Sequence, residues 1–151
     1  MGVYCPCGVY VNATSENTQL QFVERCRCKI YKRTIKGRLS ILADVCSTTL
    51  ETSTLSLEYE DFETPSVNNF LFTANAITSV VCRRDGQDCV VTIKGNGSVK
   101  GRQFTFVAVF RDQHEQAFDI LQKFVITGFF DLKGAKSFPK DSIKTLGCQT
   151  Y

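Results

Sequence analysis

The chain has 151 residues, 43% of them hydrophobic, with 12 Phe, no Trp and eight Cys. That is enough for one well-buried domain and hardly two. Its 18 basic and 15 acidic residues leave a net charge of +3, too mild to point to a polyanionic partner. No apolar run approaches the ~20 residues that cross a bilayer, so neither nucleic acid nor a membrane is expected as a partner.

The opening, MGVYCPCGVYV, places Cys5 and Cys7 two residues apart. In an extended segment Val3, Cys5, Cys7, Val9 and Val11 share one face, and Tyr4, Pro6, Gly8 and Tyr10 share the other. Pro6 has no N–H to give a ladder, which fits an arm or an edge and excludes a central strand. Residues 1–12 are therefore expected to form an N-terminal connector arm, and residues 13–151 a single domain. The opening also lacks the basic and apolar stretches of a secretory leader. Cysteine-rich composition is nevertheless typical of a cross-linked protein and unusual in a reducing cytosol. Metal ligation, export by another route, or release into oxidising surroundings when the producing cell lyses would reconcile the two.

A second CxC pair follows at Cys26 and Cys28. Read as one strand, Phe22, Glu24, Cys26, Cys28 and Ile30 face one way, and Val23, Arg25, Arg27, Lys29, Tyr31 and Arg33 face the other. The basic run KIYKRTIKGR then reads as a solvated strand face, with Arg25, Arg27, Lys29 and Arg33 in solvent and the cysteines against protein. Zinc knuckles space their ligands C-x(2–4)-C so that the chain can turn around the metal. A CxC on a strand instead projects two thiols in parallel, some ~7 Å apart, which suits two separate disulfides better than one ion. No metal or cofactor is expected, and a zinc-stabilised domain is kept as an alternative.

The rest of the chain is dominated by period two. TLSLEYE (54 to 60) puts Leu55, Leu57 and Tyr59 on one face, and QFTFVAVF (103 to 110) alternates Phe104, Phe106, Ala108 and Phe110 against Thr105, Val107 and Val109. Turn signals recur at Lys36-Gly37, Thr64-Pro65-Ser66, Asp85-Gly86, Gly95-Asn96-Gly97, Lys133-Gly134 and Pro139-Lys140. HEQAFDILQKFVI (114 to 126) carries Ala117, Ile120, Leu121 and Phe124 at helical spacing, but reads as a strand through Phe118, Ile120, Phe124 and Ile126. The strand is favoured, given its neighbours.

VVCRRDGQDCVV (80 to 91) is the most specific local signal. A turn centred on Asp85-Gly86 pairs Arg84 with Gln87, Arg83 with Asp88 and Cys82 with Cys89. Directly opposed residues lie within disulfide range, so a Cys82–Cys89 bond is predicted. GNGSVKG (95 to 101) has glycines at dinucleotide-loop spacing, but sits between strands with no helix N-terminus to receive a phosphate. Its glycines are expected to permit a tight connection. Asn12-Ala13-Thr14 and Asn96-Gly97-Ser98 match a glycosylation pattern that arises readily by chance. His114 is the only histidine, and Asp61 and Glu63 show no acid–base logic, so no catalytic residue and no enzyme are expected.

CVVTIKGNGSVKGRQFTFVAVFRD, followed by AFDI, resembles the post-COAP type of β-sandwich module in bacterial surface and secreted proteins. The pattern is a strand ending in Gly-x-Gly, then Val-x-Gly, an aromatic-rich strand, an Asp turn and Phe-x-Ile. Cys89, Ile93, Gly95, Gly97, Val99, Gly101, Phe106, Asp112, Phe118 and Ile120 fit it, and LSLEYED and ITSV look like its preceding strands. The likeness covers residues 54 to 148 and implies a fold more than an activity. In architecture, the two CxC pairs and the short arm are similar to the cysteine-linked, jelly-roll subunits of bacterial endospore appendages, whose arms join one subunit to the next through disulfides.

The expected fold is all-β: an antiparallel β-sandwich, jelly-roll or Greek-key, with an extended N-terminal arm. The expected function is structural, a subunit of a disulfide-cross-linked fibre or spore-surface appendage. Its partners would be identical copies in a helical or linear homopolymer, outside the cell without a signal peptide. Cys5, Cys7, Cys26, Cys28, Cys46 and Cys148 are the candidates for intersubunit bonds, although Cys46 and Cys148 could also pair with each other. A ligand- or carbohydrate-binding module of a surface protein is the alternative.

Overall fold

The computed structural model describes residues 5–25, 30–61, 69–114, 116–132 and 135–148. Among the described residues ten strands form one antiparallel sheet: β1 (Gly8–Arg25), β2 (Ile30–Cys46), β3 (Thr54–Asp61), β4 (Phe70–Asp85), β5 (Asp88–Val99), β6 (Arg102–Asp112), β7 (Phe118–Ile126), β8 (Phe130–Leu132), β9 (Lys136–Pro139) and β10 (Ile143–Leu146). A 3-10 turn, Leu50–Thr52, links β2 to β3. The protein is all-β, as the alternating runs predict.

From β1 to β8 each strand pairs with the next in the chain. The order over these strands is up-and-down, and the pairing is antiparallel throughout, as expected. Two-residue connections such as Gly86-Gln87 and Lys100-Gly101 keep neighbours in sequence as neighbours in space. At the flanks, β8 pairs with both β7 and β1, β9 pairs with β7, and β10 pairs with β1.

Period two decides what is buried. Leu55, Leu57 and Tyr59 of β3 and Phe106, Ala108 and Phe110 of β6 all point into the core. Rings from strands far apart in the order meet there: Phe72 lies 5.2 Å from Phe106, and Phe70 lies 5.5 Å from Phe130. The sheet therefore curls so that its inward faces share one interior. Phe118–Ile126 is a strand, as favoured, but its phase changes midway. Phe110 pairs with Leu121 and Val109 with Lys123, so Gln122 is an extra residue. The inward set is Asp119, Leu121, Phe124 and Ile126, while Phe118 is exposed.

Four expectations are corrected. Gly8–Asn12 belongs to β1, and Gly8–Val11 is paired on both sides, with Gly8 opposite Cys46 and Leu146, so the arm does not extend to residue 12. Val9 and Val11 are buried in the chain's own core. Pro6 precedes the first paired residue, and its missing donor constrains only its own position. Second, residues 22 to 33 are not one strand: Arg25 ends β1 and pairs antiparallel with Ile30, the first residue of β2. Arg27, Lys29, Cys26 and Cys28 lie outside the described residues, as do the side chains of Arg25 and Arg33.

Third, the β4–β5 turn is centred one residue later than expected. Only Gly86 has positive φ (62°), which is the first central position of a type II′ turn, and Asp85 pairs with Asp88. Cys82 then faces Val91 and Cys89 faces Arg84, so the predicted Cys82–Cys89 disulfide does not form. Fourth, Gly95 and Gly97 are strand residues. A Cβ at Gly97 would lie 2.3 Å from the Phe72 ring, so this position is kept bare to admit that ring.

Candidate functional site

The chemistry-bearing residues collect where β1 begins and β10 ends. Cys5 lies just ahead of β1 and Cys46 closes β2. Because Gly8 is opposite Cys46, the chain ahead of β1 passes the end of β2, and Cys5 is bonded to Cys46 with Cα atoms 5.8 Å apart. The Cys7 carbonyl accepts a 2.8 Å hydrogen bond from the Ser47 N–H, and its sulfur is bonded to Cys82 on β4, Cα to Cα 5.7 Å. The CxC pair thus serves two separate disulfides, as its spacing predicts. Cys89, the second residue of β5, is bonded to Cys148 beyond β10, with Cα atoms 5.6 Å apart.

Of the six cysteines expected to link subunits, Cys5, Cys7, Cys46 and Cys148 are in intrachain bonds in this structure, and Cys46 and Cys148 are not bonded to each other. Sequence reasoning missed the pairings because the partners stand 41, 75 and 59 positions apart, brought together only by the folded sheet. No described cysteine is free, which leaves none of them as a thiolate for zinc. Among the described residues no group of three or more His, Cys, Asp or Glu is placed to hold a metal ion.

Carboxylates fasten the same end. Asp119, fully buried on β7, accepts backbone N–H bonds from Gln113 (3.3 Å), Asp141 (3.0 Å) and Ile143 (3.2 Å). Burial pushes its carboxyl above the ordinary range, with the neighbouring Asp112 adding to the rise and the backbone donors opposing it. Asp112 accepts from the Thr145 N–H at 3.3 Å and the Thr145 hydroxyl at 3.0 Å. Arg111 donates to Asp85, and to Asp88 at 2.8 Å. Asp85 is held below the ordinary carboxylate range by that guanidinium, and Asp88 by the His114 backbone N–H and then by Arg111.

His114 lines a small cavity of about 210 Å³ with Gln87, Cys89, Asp112, Thr145 and Cys148. It therefore sits near a disulfide and not beside a free thiol, so this cavity holds no Cys–His nucleophile. The terminal segments touch: a Cβ at Gly147 (φ 109°) would lie 2.3 Å from the Pro6 carbonyl oxygen. What the arrangement can do is covalent, since both ends of the described chain are tied to the β4–β5 hairpin or its neighbours.

No family model, curated protein or solved structure matches this chain. The disulfides indicate an oxidising environment. Among the described residues no helix is long and apolar enough to cross a membrane.

Proposed function

We propose that the chain is a structural subunit that self-assembles into a disulfide-cross-linked extracellular fibre or spore-surface appendage, a helical or linear homopolymer of identical copies. The supporting observation is that Cys5 and Cys7 precede the first paired residue. They are held by two disulfides and by a hydrogen bond from the Ser47 N–H to the Cys7 carbonyl. Because Cys7 is one residue from Gly8, handing the pair to an adjacent copy takes the first residues of β1 out of their own sheet with it. If residues 1–12 leave together, as an exchanged arm, they span ~40 Å when extended, enough to pass to an adjacent copy. In the assembled form Cys5 and Cys7 would close on Cys46 and Cys82 of the neighbour in place of their own. A head-to-tail exchange propagates as a filament unless its rotation closes a ring. The reading of the curled sheet as a two-layer sandwich of the post-COAP type belongs to the same proposal.

The test mixes isotopically heavy and light chains before oxidation. Non-reduced peptide mapping should then recover Cys5–Cys46 and Cys7–Cys82 pairs of mixed isotope content. Electron microscopy should show fibres that withstand denaturant until reduced, and the Cys5→Ser, Cys7→Ser double variant should form none. Pairs of pure isotope content in a monomeric protein would overturn the reading.

A further inference from the structure

The outer face of β1–β4 carries a groove of about 460 Å³ that the cross-linking proposal does not use. It exists because the β3–β4 ladder stops at Ser56 opposite Thr73, while β3 itself begins at Thr54. Beyond Thr73, β4 follows β5 through two bulges, at Asn75 and Thr78, and leaves β3. The groove is lined by Tyr10, Leu42, Asp44, Thr54, Ser56 and Thr73 among others. Tyr10 stands 50% exposed and Leu42 55% exposed, on strands whose adjacent residues Val9, Val11, Ile41 and Ala43 are buried. The Tyr10 ring is flanked in register by Asp44 on β2 and Lys144 on β10.

We infer that this groove is a binding site for a neutral saccharide. A sugar ring has an apolar C–H face and a rim of hydroxyls. An exposed aromatic ring beside an aliphatic side chain offers a platform for the first. A carboxylate and three Ser or Thr hydroxyls supply acceptors and donors for the second. Asp44 is the charged side chain of the lining, and its carboxylate does not favour an anionic ligand such as a phosphate. An added β-strand fits poorly, because the two bulges break the repeat that an incoming ladder would need. The lining is more apolar than polar, with Val11, Ala43, Leu55 and Ala74 at its base, but Asp44, Thr54, Ser56 and Thr73 argue against a purely apolar ligand.

The experiment is a 1H–15N titration of the intact, oxidised protein with chitotetraose and, separately, cellotetraose. Saturable shifts confined to Tyr10, residues 42 to 44, residues 54 to 56 and Thr73 are expected with at least one of them. Tyr10→Ala should weaken that binding about tenfold, the equivalent of ~1.4 kcal/mol. Phe118→Ala, which removes an exposed ring on β7, should leave it unchanged. Tyr10 is half in solvent, so its variant should keep the wild-type spectrum elsewhere, and Leu42→Ser provides a second variant expected to weaken binding. Absence of saturable shifts with both sugars, shifts centred elsewhere, or undiminished binding by both groove variants would overturn the assignment. Concentration-dependent shifts at these residues without sugar would give the groove to a second copy of the chain, with the same consequence.

Discussion

Asp119 offers one oxygen to the Gln113 N–H and the other to those of Asp141 and Ile143, at a position with no access to water. Because folding raises its pKa, the folded chain holds this proton more tightly than the unfolded chain does. Its contribution is therefore full below the ordinary Asp value, and declines as pH rises through that value to the raised one. Asp119→Asn keeps the shape but points an NH2 group at one set of donors, so a loss of about 1–3 kcal/mol is expected in acid. Denaturant unfolding from pH 4 to 7 should show the wild-type advantage over Asp119→Asn shrinking as pH rises, and a widening gap would contradict it. Asp85 and Asp88 behave oppositely: their depressed pKa values give stability that is present above the ordinary range and lost as pH falls through the folded values. Little of this was legible in the sequence. Unbroken alternation aligned Phe118 and Ile120 with Phe124, and so placed Asp119 outside. One bulge residue, Gln122, reverses the phase, and nothing in its side chain announces that.

At the scale of elements, the β9–β10 corner is held by groups from β5, β6 and β7. Ile143 and Thr145 donate their N–H groups to Asp119 and Asp112, and Cys148 is tied to Cys89. Removing the disulfide with Cys89→Ser and Cys148→Ser should raise hydrogen exchange in β10 selectively. Amides in β6 and in the β2–β3 ladder should keep their protection, and uniform loss across the sheet would show that the bond supports the whole fold instead. The strands themselves were largely legible: β3, β6 and β7 follow from period two, and the β4–β5 hairpin from Asp-Gly. The turn type was not. Asp-Gly fits either a two-residue turn with both residues at positive φ or one led by Gly86, and that choice moved Cys82 away from Cys89. The integration of β1 was hidden for a different reason. One of its partners, β10, lies at the far end of the chain, and no local pattern reports a pairing between Val9 and Thr145.

For the molecule as a whole, the balance between core and cross-links sets how it responds to reductant. Closing loops of 41, 75 and 59 positions restricts the unfolded chain by an amount on the order of 4 kcal/mol each in the chain-entropy account. The core, however, is a continuous set of buried aliphatic and aromatic side chains from nearly every strand, including Phe72, Phe106, Phe124 and Phe130. Far-ultraviolet circular dichroism is therefore expected to keep its strand signal at 25 °C after full reduction, while the denaturation midpoint falls by an easily measured amount. Loss of the strand signal on reduction alone would mean that the core does not suffice.

The disulfide map also determines how an isolated chain would carry tension. A pull applied at residues 7 and 148 passes across Cys7–Cys82, along residues 83 to 88, and across Cys89–Cys148. Residues 82 to 89, fully stretched, span roughly 25 Å, against about 480 Å for the backbone from residue 7 to residue 148. Strands β1 to β3, β6 to β10, and most of β4 and β5 lie off this load path. They are mechanically shunted, and bear no force until a sulfur–sulfur bond is cut.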